Sequence, residues 1–153
     1  MNYIKDTVYK KIIQNVPICC VDVVIVDYIG SALLVKRKDP PAKNLWWIPG
    51  GRVLKGEMLK DAAIRKAKEE TGLECIKPKL IYTDETIFDD GPFDIPIHSI
   101  NNCFILYTKL QYNLNEVNIN DSCSDYKWIG FIDNKLHHYV KNCLLAANLK
   151  ILC

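Results

Sequence analysis

Apolar and polar positions change period several times along this chain, and the changes mark out its elements. Ile4, Val8, Ile12 and Ile13 recur at helical spacing in MNYIKDTVYKKIIQNV and predict a short amphipathic helix. CCVDVVIVD is a nearly continuous apolar run and reads as a strand, with a turn at Tyr28 to Ser31 and ALLVKR as its partner. Pro40 and Pro41 mark a loop where helix is disfavoured. LWWIP then leads into Pro49-Gly50-Gly51, a turn suited to positive φ and close backbone approach. A helix is expected after Gly56, because Met58 to Thr71 lacks Gly and Pro and is rich in Ala, Lys and Glu, and Gly72 stands where a glycine stops a helix. KLIYTDETIF and HSINNCFILYTKL read as long strands separated by the loop DDGPFDIP. KWIGF reads as a short strand and DNKLHHYVKNCLLAANLKIL as a C-terminal helix capped by Asp133 or Asn134. This order predicts the α/β class, a mixed sheet with helices on both faces.

Chemistry concentrates between Gly51 and Leu73, in GRVLKGEMLKDAAIRKAKEETGL. On a helix, position 66 is three and four residues from Glu69 and Glu70, and Arg65 lies four before Glu69, so these side chains share a face. Carboxylates crowded on one face repel unless a cation compensates, and hard oxygen donors suit Mg2+ or Mn2+, which bridge to substrate phosphates. Taken alone, Arg65, Lys66, Glu69 and Glu70 would be ordinary helix ion pairs of about 0.2–0.5 kcal/mol each. The full spacing, with the preceding PGG turn, favours a metal and phosphate site instead.

That spacing resembles the Nudix box, G-x5-E-x7-R-E-U-x-E-E-x-G-U with U aliphatic, at Gly51, Glu57, Arg65, Ala67, Glu69, Glu70, Gly72 and Leu73. Lys66 stands where the box has a further carboxylate; there it would pair with Glu69 or Glu70 and supply the charge a second metal would otherwise bring. The resemblance implies a Nudix-type α/β/α sandwich. The longer stretch PICCVDVVIVDYIGSALLVKRKDPPAKNLWWIPGGRV, with Asp125-Tyr126-Lys127-Trp128 for D-Y-R-W, is similar to the GDP-mannose mannosyl hydrolase branch, in which the same box acid is absent. In that branch water displaces the nucleoside diphosphate from the anomeric carbon of the sugar. The resemblance implies Glu70 and the Gly51 carbonyl as Mg2+ ligands, with Glu69 added if attack is at phosphorus. It implies Asp22, Arg37, Arg52 and Arg65 as contacts to sugar or diphosphate, and His98 as a phosphate contact. Arginine suits that role because its planar fork binds phosphate oxygens directionally. The branch's histidine base is replaced by the segment Asp121-Ser122-Cys123-Ser124-Asp125, which leaves Asp121 or Asp125 as carboxylate candidates, since a thiol at its usual pKa is a poor base. The catalytic set expected is Arg52, Arg65, Glu70 and Asp125.

Three functions compete at this stage. One is a Mg2+-dependent hydrolase releasing sugar and nucleoside diphosphate from a nucleotide sugar by carbon attack. The second is a pyrophosphatase of a nucleoside diphosphate derivative, using Glu69 and Glu70 with Glu57 in support. The third is a nucleotide-sugar-binding domain that has lost turnover.

Length and composition narrow the setting. The 153 residues support one domain, 1–153, with 49% apolar and 25% charged residues. A net charge of +2 points to a small anionic ligand and away from nucleic acid. No membrane-length apolar run or secretory leader is read, so the expected location is cytoplasmic. Seven cysteines, an odd number without C-x-x-C spacing, read as reduced core thiols. A homodimer packed through the N-terminal segment and the PPAKN loop is left open by the resemblance. Trp46, Trp47, Tyr126 and Trp128 are candidates for base stacking, with Trp46 expected under the turn, and His137 and His138 are expected to face solvent without a role.

Overall fold

A computed structural model describes residues 4–109 and 117–152. Residues 1–3 of the expected first helix, Leu110 at the end of the second long strand and Cys153 lie outside the described residues.

The expected α/β architecture is present. A seven-stranded sheet runs in the order β3-β2-β1-β6-β5, with β4 added to β1 and β7 to β2. Its strands are β1 (Ile18–Val26), β2 (Ala32–Arg37), β3 (Trp46–Trp47), β4 (Gly50–Arg52), β5 (Cys75–Phe88), β6 (Ile97–Thr108) and β7 (Cys123–Ile129). β1 and β6 are parallel, and the sheet's other pairs are antiparallel. Asp27 closes the β1–β2 turn by accepting from the Ile29 and Ser31 amides at 2.9 and 2.8 Å.

Two helices sandwich this sheet. α2 (Leu59–Thr71) lays Ala62, Ala63 and Ala67 against Val21, Val23 and Ile25, while α3 (His138–Ala146) lays Tyr139, Val140 and Leu144 in the cluster that holds Val24 and Val26. Successive β1 side chains therefore enter opposite cores, which is why the strand reads as an unbroken apolar run. Each fully buried Val or Leu contributes about 1.5–3 kcal/mol. α2 ends at Gly72 with φ 72°, as its sequence predicts. α1 (Asp6–Asn15) buries only Ile13, against Ile18 and Ile97, and Val8 of the predicted stripe is exposed.

Several elements differ from the reading of the sequence. Pro49-Gly50-Gly51 leads into β4 instead of closing a turn, because Gly50–Arg52 pairs with Cys20–Asp22. β7 begins at Cys123, four residues before KWIGF, since its polar start finds its ladder on β2. The predicted C-terminal helix is shorter: Asp133 closes a preceding turn onto the Lys135 amide, and the helix is capped by His137, whose Nδ1 accepts from the Tyr139 amide at 3.2 Å. After it, β9 (Lys150–Ile151) pairs in parallel with β8 (Phe131–Ile132). Trp47, 6% exposed, packs in the core, whereas Trp46 is half-buried with the Lys127 ammonium 4.3 Å above its ring. No helix among the described residues is long and apolar enough to cross a membrane.

Candidate functional site

A cleft of about 220 Å3 opens where β4 joins β1, bounded by Asp22, Arg37, Gly51 and Arg52. The register Cys20↔Arg52, Val21↔Gly51, Asp22↔Gly50 creates it. Glycine is required twice along this edge. A side chain at Gly50 would collide with the Asp22 carboxylate, and at Gly51, where φ is +148°, a Cβ would come within 2.8 Å of Lys66 Cε.

Asp22 is the only carboxylate lining the cleft among the described residues. Its Oδ2 accepts from the Tyr139 hydroxyl at 2.7 Å. Burial pushes its carboxyl up to about 7; the Tyr139 bond opposes this, and the nearby Glu70 charge adds to the rise. Arg52 lies over the Tyr9 ring, 4.6 Å from the centroid. Arg37 Nε donates to the Pro41 carbonyl at 2.6 Å and so ties the proline loop to the cleft. Part of the wall is polar: Asn101 Nδ2 donates to Thr86 Oγ1 at 2.9 Å, and the Thr86 and Ser99 hydroxyls are 3.0 Å apart.

Behind β4, the face of α2 carries the charge cluster. Arg65 grips Glu57 with two bonds, Nε to Oε1 at 2.6 Å and Nη2 to Oε2 at 2.8 Å, and holds Glu57 below the usual carboxylate range. It also donates to Glu69 at 3.1 Å and to the Arg52 carbonyl at 3.2 Å. Lys66 Nζ sits 3.0 Å from Glu70 Oε1 and 3.3 Å from Glu69 Oε2, the pairing its spacing predicts. The other Glu70 oxygen accepts from the Gly50 amide at 3.2 Å.

The Mg2+ set expected from the sequence was the Gly51 carbonyl with Glu69 and Glu70. These are the right kind of donor for a hard cation, but the Lys66 ammonium already binds both carboxylates. Among the described residues, no group of three or more His, Cys, Asp or Glu side chains is placed to hold a metal ion. As arranged, these residues do not fit a preformed metal cage.

The structure thus gathers Asp22, Arg37, Gly51 and Arg52 in the cleft, and Arg65, Glu69 and Glu70 in the cluster behind it. His98 is in neither group: β6 turns Ile97, Ser99 and Asn101 to the cleft, while His98 Nε2 lies 2.8 Å from Glu85 Oε2. Asp125 is exposed on β7, opposite Lys36, and its Oδ1 accepts from the Tyr126 amide. Cys123 is buried, which raises its thiol pKa. The two segments expected at a homodimer contact wall the cleft within one chain, through Tyr9 and through Pro40 and Pro41. Tyr9, Tyr139, Thr86, Ser99 and Asn101 were missed by the sequence reading. For Thr86, Ser99 and Asn101 the signal was present, as polar side chains recurring within long strands; for Tyr9 and Tyr139 there was none.

Comparison with known proteins identifies a domain family and a fold. The NUDIX domain pattern matches residues 19–143. The chain is similar to the low-salt glycan biosynthesis protein Agl8 of Haloferax volcanii, 34% identical over 116 residues, or 76% of this chain and 71% of that protein. Its fold is similar to a MutT NUDIX hydrolase from Burkholderia pseudomallei, with TM-score 0.69, 22% identity, and coverage of 88% of this chain and 98% of that one. It is also similar to the NUDIX domain of Shewanella oneidensis NrtR complexed with ADP ribose, with TM-score 0.59, 26% identity, and coverage of 83% and 77%.

Proposed function

The chain belongs to the Nudix hydrolase family, and from that premise we propose that it hydrolyses a nucleoside diphosphate sugar by attack of water at the anomeric carbon. The observation that carries this reading is the pairing of β4 with β1, which sets two arginines and one buried carboxylate around a single cleft. Arg37 and Arg52 bind the diphosphate through their planar forks. Asp22 meets the sugar and takes the proton that the attacking water gives up. As the bond from anomeric carbon to β-phosphate oxygen breaks, the electron pair leaves with the nucleoside diphosphate. The arginines then stabilise the charge that grows on that phosphate, where preorganised charge lowers a barrier most. The hydroxyls and amide of Thr86, Ser99 and Asn101 supply hydrogen-bonding partners for sugar hydroxyls.

Arg65 acts in this reading as a positioning residue, since its guanidinium is engaged by Glu57, Glu69 and the Arg52 carbonyl. His98 and Asp125 carry no step in it. Mg2+ or Mn2+, the family's usual kind of cofactor, is proposed to arrive with the diphosphate and not to reside in a carboxylate cage beforehand. The glycan-related relative supports a sugar-containing substrate, and the ADP-ribose-bound neighbour supports a nucleoside diphosphate derivative. The six described cysteines are free thiols, which supports a reducing, cytoplasmic setting.

The test is phosphorus and proton NMR of GDP-mannose and a small panel of other nucleotide sugars, with the protein and Mg2+ in 18O-labelled water. The expected products are nucleoside diphosphate and free sugar bearing the label. Nucleoside monophosphate and sugar phosphate would instead make the protein a pyrophosphatase, the reading that the paired Glu69 and Glu70 favour. Binding without any product would make it a nucleotide-sugar-binding domain.

A further inference from the structure

The cluster at α2 contains three carboxylates, Glu69 and Glu70 on the helix and Glu57 on the loop before it, and two cations, Arg65 and Lys66. Arg65 serves Glu57 and Glu69, and Lys66 serves Glu69 and Glu70. The Lys66 and Glu70 side chains are only 15% and 12% exposed, so their attraction is weakly screened. Lys66 also reaches the cleft edge: its Cε and Nζ lie 2.8 and 3.3 Å from where a Cβ on Gly51 would stand. Its charge is felt at Asp22, Cys20 and Cys123, where it opposes the effect of burial. A divalent ion bound to Glu70 Oε1 would face this ammonium at close range, and two cations repel most strongly where water is scarce.

We propose that the Lys66 ammonium is the resident cation of this carboxylate cluster. The free protein holds no divalent metal between Glu69 and Glu70, and the positive charge behind the Gly50–Gly51 edge of the cleft comes from lysine. Replacing Lys66 with a carboxylate changes the cluster by two charges and presents three oxygen-donor side chains on one face of the helix, which raises divalent-ion affinity through ligand charge. The inference concerns the resting protein and is independent of turnover, so failure of the proposed hydrolysis would leave it standing.

The experiment is a Mn2+ titration of the full chain, free of nucleotide, followed by electron paramagnetic resonance, on the unaltered protein and on Lys66→Glu and Lys66→Gln. The unaltered protein is expected to bind Mn2+ no tighter than about 1 mM, with Lys66→Gln about tenfold tighter and Lys66→Glu about a hundredfold tighter. Thermal melting is the second readout: Mn2+ should raise the midpoint of Lys66→Glu and leave that of the unaltered protein in place. If Lys66→Glu needs metal to fold, the near-isosteric Lys66→Gln carries the comparison. Equal Mn2+ affinity in the unaltered protein and Lys66→Gln would overturn the proposal. For the cleft edge, inorganic pyrophosphate binding measured by calorimetry in chelator should weaken about tenfold in Lys66→Gln; unchanged affinity would overturn that part.

Discussion

Two arginines that share one expected role in the sequence occupy different physical situations. Arg52 faces the cleft above the Tyr9 ring, whereas Arg65 spends its guanidinium on Glu57, Glu69 and the Arg52 carbonyl. Lysine keeps the charge at either position but loses the planar fork. Arg65→Lys is therefore expected to lower stability by about 1–2 kcal/mol in urea unfolding and to change nucleotide affinity little. Arg52→Lys should do the reverse, with near-native unfolding and about tenfold weaker nucleoside diphosphate binding by calorimetry. Equal effects of the two substitutions on binding would return Arg65 to direct phosphate contact. The Lys66 pairs were legible in the sequence because a helix fixes which side chains meet at three and four residues. The Arg65–Glu57 fork crosses the loop before α2, and the Asp22–Tyr139 bond joins residues 117 apart, so no local pattern announces either.

Elements were legible where one pattern governs the whole segment. β1, its turn, β2 and the glycine-stopped α2 read directly, because both faces of β1 are buried and α2 has a defined stop. β7 did not, since its first residues are mostly exposed and owe their strand conformation to hydrogen bonds with β2. The start of α3 was misread for a related reason: histidine is an uncommon cap, and Asp133 and Asn134 looked better. The cap makes a pH prediction. Burial, followed by the charges of His138 and Lys141, lowers the His137 pKa below 6.5 in the folded protein. The unfolded chain then binds more protons near pH 6, so this contribution is complete above 6.5 and is lost as pH falls from there through the lower folded-state pKa. His137→Asn keeps a cap acceptor without a titrating ring. Between pH 7.5 and 5.5 the unaltered protein should lose about 0.5–1 kcal/mol more than the variant, the size of one cap, in matched denaturation curves. Parallel pH profiles would remove His137 from the account.

At the scale of the whole molecule, the order of elements conveyed a layered α/β/α fold but not which strands would be neighbours. The parallel β1–β6 pairing, with Cys20 opposite Asn101, brings the polar wall of Thr86, Ser99 and Asn101 to the cleft from a distant part of the chain. The cleft consequently lies on the α3 side of the sheet, walled by Trp47 of that core and by Ile18 and Ile97 beside α1, with Tyr139 carried by α3 on that side and the charge cluster carried by α2 on the other. The Tyr139–Asp22 bond is the polar tie from α3 into this site, and both partners are buried. Tyr139→Phe preserves the aromatic packing against Trp47, whose ring centroid is 5.8 Å away, and leaves the carboxylate without that donor. It should cost about 1–3 kcal/mol, the penalty for an unsatisfied buried polar group. In an Asp22→Ala background the same change should cost much less, because the tyrosine hydroxyl has already lost its acceptor. Equal costs in the two backgrounds would mean that this bond does nothing to hold α3 to the cleft, and that apolar packing alone sets the position of Asp22.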